Sequence, residues 1–191
     1  MDLAIIGLGN YGEQYQNTRH NVGWIFLEKY LEKIKANELK SYKNLYKYSI
    51  AKVRNKEVIF VFPYTYMNDS GKAVKQIMIN YNLKPNNCVL LLDEYNFELG
   101  KFHLKNKSSD GGHNGIKSVL AELNNNEFAK FRIGIGKNFG SGELVDYVLG
   151  KFDDEETKII KENQEKFNKA IDIYITNNLE RSMQIINSGK F

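Results

Sequence analysis

Residues 7–12 read GLGNYG, directly after the run DLAII at residues 2–6. G-x-G-x-x-G behind a strand is the spelling of a dinucleotide-binding turn, and its neighbours decide whether that reading holds. In such a unit a helix opens inside the motif, so that its free N–H groups face the pyrophosphate. An acid about 20 residues further on then holds the ribose from a strand end. Here Gly12 is followed by EQYQNTRHN, a polar run with no apolar stripe. Helical periodicity begins only near Asn21, with Val22, Ile25, Phe26, Tyr30, Leu31 and Ile34 on one face. Glu28 and Glu32, the acids near the expected distance, fall inside that helix. The context of a dinucleotide site is missing, and the motif reads as a turn that sets Asn10 just beyond the first strand.

The rest of the chain alternates in the same manner. Candidate strands are Asp2–Leu8, Tyr46–Val53, Glu57–Pro63, Cys88–Asp93 and Phe131–Gly136. YKYSIAKV alternates as an edge or exposed strand does, whereas VIFVF and VLLL are continuous apolar runs suited to a sheet covered on both faces. Candidate helices are Asn21–Lys35, Gly71–Asn82, His113–Leu123, Asp153–Thr176 and Leu179–Ser188. Asp153 and Glu156 have the spacing of a capping box, and NLKP at 82–85 closes the second helix. The pattern predicts an α/β fold: a single-domain sandwich, residues 1–191, in which helices flank a twisted β-sheet made mixed by the antiparallel hairpin at 46–63.

A chain of 191 residues, 42% hydrophobic and 26% charged, has the make-up of a soluble globular domain that needs no staples. Its lone cysteine, Cys88, opens an apolar strand and reads as a packing residue. No apolar run reaches 18 residues and no signal-like segment precedes the first strand, so the expected compartment is the cytoplasm, with no membrane partner. The formal net charge is +4. Between 101 and 137 lie seven Lys or Arg against three acids, an excess equal to that of the whole chain. Such a local field suits a polyanionic partner such as nucleic acid.

Ligands of α/β folds bind beyond the carboxyl ends of strands. Asn10, His20, Asn68, Asp93 and Asn114 all follow strand ends or open helices, so they are candidates to converge on one rim. Three histidines and one cysteine lie scattered, without C-x-x-C or H-E-x-x-H spacing, so no metal is expected. No G-x-S-x-G elbow presents a serine. A histidine backed by an aspartate, with no serine or cysteine nucleophile, suggests a general base acting on water. Carboxamide NH₂ groups can hold a carbonyl and its developing oxyanion. Together they suggest hydrolysis of an activated carbonyl, most easily an ester. Two other classes remain open on residues alone: a nucleotide-dependent oxidoreductase, resting on GLGNYG, and a non-catalytic RNA-binding protein, resting on the basic segment.

GLGNYGEQYQNTRHNVG, PYTYMNDSGKAV, LLDEYNFELG, GGHNGIKS, FRIGIGK and VDYVLGKF, in this order between residue 3 and about 152, resemble the successive signatures of bacterial peptidyl-tRNA hydrolase. The resemblance implies cleavage of the ester between a peptide and the terminal ribose of tRNA, with no cofactor or metal, by a monomer. It implies His20 as base, Asp93 as the group that orients it, and Asn10 as a contact to the peptide portion. Asn68 and Asn114 would hold the acceptor end and the water. Tyr15, Tyr66 and Met67 would line the cleft, and Lys105 and Arg132 would clamp a phosphate of the tRNA. The chain departs from the family in having Tyr11 where proline is usual, Asn96 where an acid is usual and Glu98 where proline is usual.

Overall fold

The continuous apolar runs become the centre of one sheet. In the computed structural model, which describes residues 1–36 and 38–191, the elements in chain order begin with β1 (Leu3–Gly7), α1 (Val22–Lys33), β2 (Lys40–Tyr42), β3 (Tyr46–Val53), β4 (Lys56–Pro63), α2 (Ser70–Tyr81) and β5 (Cys88–Glu94). They continue with β6 (Phe102–Asn106), α3 (Asn114–Leu123), β7 (Ala129–Gly134), α4 (Leu144–Leu149), α5 (Asp154–Thr176) and α6 (Leu179–Ser188). Strand order is β2-β3-β4-β1-β5-β7-β6. β4, β1, β5 and β7 are parallel, while β2, β3 and β6 pair antiparallel, so the sheet is mixed as expected.

Successive strand residues point to opposite faces, and here both faces are packed. Leu3, Ile5, Phe60, Val89, Leu91 and Phe131 join α1, α5 and α6 in one core. Ala4, Ile6, Ile59, Val61, Leu90 and Leu92 join α2 and α3 in the other. That is why VIFVF and VLLL show no polar alternation. Cys88 is buried in the second core, and burial pushes its thiol up to about 12, in keeping with a packing role.

The dinucleotide spelling meets no helix. After Gly12 come 3-10 turns at Glu13–Tyr15 and Arg19–Asn21, and α1 starts only at Val22. The Asp153–Glu156 capping box forms in both directions. Three elements were absent from the sequence reading: β2, β6 and α4. β7 also begins two residues earlier than the apolar pattern indicates, because Lys130 sits inside the ladder, 1% exposed, with Nζ donating to Asn126 Oδ1 at 2.8 Å. After Gly134 the chain leaves that ladder: Ile135 N–H donates to Glu94 O and Gly136 N–H to Phe97 O.

Candidate active site

The loops at 8–21 and 64–69 follow the carboxyl ends of β1 and β4, β5 ends beside them with Asp93, and the segment 107–113 after β6 returns to the same rim, so that these bring the candidate residues together. His20 stands on the 3-10 turn before α1. Its loop is fastened to the segment after α4: Arg19 N–H donates to Gly150 O, Phe152 N–H to Asn17 O, and Thr18 bridges Lys151. Gly23 makes the close approach possible, since a Cβ there would stand 2.5 Å from the Leu91 carbonyl oxygen. α1 can therefore lie directly on β5, whose end supplies Asp93.

His20 Nδ1 lies 2.7 Å from Asp93 Oδ1, with both side chains buried. A carboxylate accepts, so Nδ1 carries the proton and Nε2 the lone pair. Nε2 has no hydrogen-bond partner among the described residues, and His20 lines a cavity of about 210 Å³ with Asp93, Gly112, Asn114, Arg132 and Val145. His113 serves the structure of its loop: its Nδ1 accepts from Gly115 and Ile116 N–H as the N-cap of α3. It does more, because its Nε2 donates to the same Asp93 oxygen at 2.9 Å. Burial alone would raise the Asp93 carboxyl, but the two imidazoles outweigh it and hold the group well below the usual carboxylate range.

His20, Asp93 and His113 also have the composition of a metal-binding group. Their geometry argues for hydrogen bonding. Tetrahedral ligands about 2.0–2.1 Å from zinc stand roughly 3.3 Å apart, whereas these nitrogens lie 2.7 and 2.9 Å from one shared oxygen.

Asn10 is set by a double clasp: Asn21 accepts from its N–H and donates to its carbonyl, at 2.8 and 2.9 Å. Its own Oδ1 accepts from Met67 N–H at 2.7 Å. The carboxamide is thereby oriented, with its NH₂ free of protein partners among the described residues. The loops after β1 and β4 are joined by this contact and by Tyr11 N–H donating to Thr65 O. Met67 is buried, Asn68 and Asn114 are exposed, Tyr66 is 46% exposed, and Tyr15 meets Tyr66 edge to face.

Lys105 and Arg132 stand differently from the rest. Both lie on the sheet face opposite Phe102, Leu104 and Phe131, but only Arg132 lines the cavity with His20. Its guanidinium is buried, bonded to Glu94 Oε2 at 2.8 Å and to the Ser109 carbonyl. Lys105 is exposed, with Nζ 5.6 Å from the Phe97 ring centroid. Sequence reasoning missed Asn21, Glu94 and the second bond to Asp93. The first two stand inside the quoted motifs, beside His20 and Asp93, and that adjacency was the available signal.

A family model described as peptidyl-tRNA hydrolase matches residues 4–191 of the chain. The peptidyl-tRNA hydrolase of Mycoplasma capricolum is 40% identical over 174 residues, covering 91% of this chain and 93% of its own. That of Clostridium beijerinckii is 38% identical over 190 residues, covering 98% and 97%. Among solved structures, the crystal structure of peptidyl-tRNA hydrolase from Acinetobacter baumannii is similar with a TM-score of 0.90 at 28% identity, covering 97% of this chain and 94% of its own.

Proposed function

Because this chain belongs to the peptidyl-tRNA hydrolase family, whose reaction is hydrolysis of peptidyl-tRNA, we propose that His20 is the general base of that reaction. Water bound at Nε2 gives its proton to the imidazole as its oxygen attacks the ester carbonyl. The tetrahedral intermediate then expels the ribose oxygen, which takes the proton back from the imidazolium. Asp93 holds the Nδ1–H tautomer and stabilises the imidazolium. The NH₂ groups of Asn68 and Asn114 are donors for the water, the oxyanion and the acceptor end, and Asn10 uses its free NH₂ to contact the peptide portion.

The observation that carries this reading is the short His20–Asp93 bond, with the opposite nitrogen unpartnered among the described residues and the ring lining a cavity of about 210 Å³. Tyr15, Tyr66 and Met67 line the cleft. Lys105 meets a phosphate of the tRNA end, and Arg132 joins it only by exchanging its Glu94 contact. On this reading the chain works as a monomer in the cytoplasm, without metal or cofactor. No helix of the described residues is long and apolar enough to cross a membrane.

The test is release of N-acetyl amino acid from N-acetyl-aminoacyl-tRNA by the purified protein, in parallel with a His20→Ala variant. Turnover by the parent and its loss in the variant are expected. Turnover by neither would leave an RNA-binding protein and remove the hydrolase.

A further inference from the structure

A row of tyrosines continues the cleft beyond Asn10, on the side away from β7. Tyr66 lies 4.9 Å from Tyr11, Tyr11 lies 5.1 Å from Tyr64, and Lys47 Nζ ends the row 4.5 Å from the Tyr64 ring centroid. The backbone holds this row in place: Tyr11 N–H donates to Thr65 O, and Tyr64 N–H to Leu45 O. Tyr11, Tyr64 and Lys47 are half-buried. At its outer end Tyr64 and Lys47 form a wall of a second cavity of about 570 Å³, with Trp24, Ile25, Leu39 and Phe62 also lining it. Asn21 lines this cavity too, and its carboxamide clasps the backbone of Asn10. The row and the cavity are therefore continuous with the catalytic cleft, yet the chemistry at His20 uses neither.

The substrate has two ends, and position and charge decide which one reaches this surface. Strand order puts β4 and β3, and hence the row, on one side of β1; β5, β7 and β6, with Asp93, Arg132 and Lys105, are on the other. The outer cavity carries Glu13 and Glu28 against Lys47 alone, a balance that disfavours the phosphate backbone of a nucleic acid. What the surface offers is ring faces and edges, which suit aromatic and large apolar side chains. Its steps correspond to about four residues of extended chain at most.

We propose that Tyr11, Tyr64 and the cavity beyond them form an outer subsite for the peptide, upstream of the esterified residue, that selects aromatic or large apolar side chains. The inference rests on the hydrolase reading above. It is tested with three substrates: N-acetyl-alanyl-tRNA, a tetrapeptidyl-tRNA with two leading phenylalanines and two alanines, and its counterpart with two leading glycines. The parent protein is expected to prefer the phenylalanine peptide over the glycine peptide by about tenfold in kcat/KM, the scale of one or two aromatic contacts. The Tyr11→Ala/Tyr64→Ala variant should lose that preference and keep its turnover of N-acetyl-alanyl-tRNA, and the Tyr11→Phe/Tyr64→Phe variant should keep both.

A parent without preference between the two peptides overturns the subsite, and needs no variant to do so. So does an alanine variant that retains the preference. An equal loss on all three substrates with a shallower salt dependence would assign the row to RNA. A parent that cleaves none of the three refutes the hydrolase reading itself, and the subsite with it.

Discussion

His20 and His113 face each other across Asp93, with ring centroids 4.8 Å apart and planes inclined at 46°. Both donate to the same carboxylate oxygen, at 2.7 and 2.9 Å. What separates them is the other nitrogen of each ring. In His113 it accepts from the first N–H groups of α3, so its lone pair is committed to the helix. In His20 it has no partner among the described residues. Two imidazoles share one counter-charge, and only one of them is free to take a proton from water.

His20→Ala is therefore expected to lower turnover of N-acetyl-aminoacyl-tRNA by about 10²–10⁴-fold, the usual contribution of a positioned base, with tRNA binding retained. His113→Ala is expected to act differently. It removes the cap of α3 and should cost about 0.5–2 kcal/mol of stability, read as a lower midpoint in urea. A His113→Ala protein of unchanged stability but abolished turnover would transfer the base to His113.

Asp93 gives a prediction in pH. Its carboxyl is held below the ordinary value by the two imidazoles, against the opposing effect of burial. A depressed carboxyl means that the unfolded chain binds the proton more readily than the native one. The resulting stability is complete above the unfolded value of about 3.9 and is lost as pH falls below it towards the native value. Asp93→Asn keeps an accepting oxygen but removes this titration. Urea unfolding of both proteins should show their stability difference changing below about pH 4, with the parent losing more. Parallel curves from pH 6 to pH 2 would mean that Asp93 is not so held. At neutral pH the same variant should lose activity by about 10²–10⁴-fold, since imidazolium no longer faces an anion.

Gly71 fixes how closely α2 and α3 cross. A Cβ there would collide with the Ser118 carbonyl, and the Gly71 N–H donates to Ser118 Oγ at 2.9 Å. Asn68 lies on the 3-10 turn Met67–Asp69 just before α2, and Asn114 opens α3. Gly71→Ala should cost about 1–3 kcal/mol, the range for overpacking, as a fall in thermal midpoint. An unchanged midpoint would mean that the helices can part at no cost.

Much of this was legible because burial on both faces writes itself into the sequence. β3 and α6 fall on the expected residues, and β1, β4 and β5 within one residue at each end, as runs that only a doubly packed sheet requires. β2 was not legible: KSY is three residues, exposed or half-buried, on an edge. α4 has six residues and buries none. β6 does alternate, with Phe102 and Leu104 inward and His103 and Lys105 outward, but five residues are too short to stand out from a polar loop. The candidate site residues could be named one by one from the sequence, but of their partners only Asp93, behind His20, could be. The basic segment shows why. Lys130 is buried, with burial and Arg132 lowering its ammonium to about 8, Arg132 is paired with Glu94, and Lys107 with Glu127. A charge count along the chain cannot tell a buried or paired cation from a free one.

That distinction makes Lys105 the clean probe of the tRNA contact. Lys105 is exposed and has no carboxylate partner among the described residues, whereas the side chains of Arg132 and Glu94 are 6% and 12% exposed and bonded to each other. Lys105→Ala should leave stability unchanged, raise KM and leave kcat nearly unaltered, because a phosphate contact distant from the ester acts equally in ground and transition states. The increase should vanish on tRNA stripped of its 5′ phosphate, and the salt dependence of binding should flatten by about one ion or less. Arg132→Ala should instead destabilise the fold by about 1–3 kcal/mol, since it takes the cation from a half-buried carboxylate that keeps only its bonds from Asn96. Its kinetic effect is therefore to be compared with that of Glu94→Gln, which disturbs the same pair without removing the cation. If Glu94→Gln binds phosphorylated tRNA more tightly than the parent does, Arg132 is released to the phosphate as the exchange requires. If Lys105→Ala treats phosphorylated and dephosphorylated tRNA as the parent does, the phosphate contact lies elsewhere on the chain, whatever the fate of the base at His20.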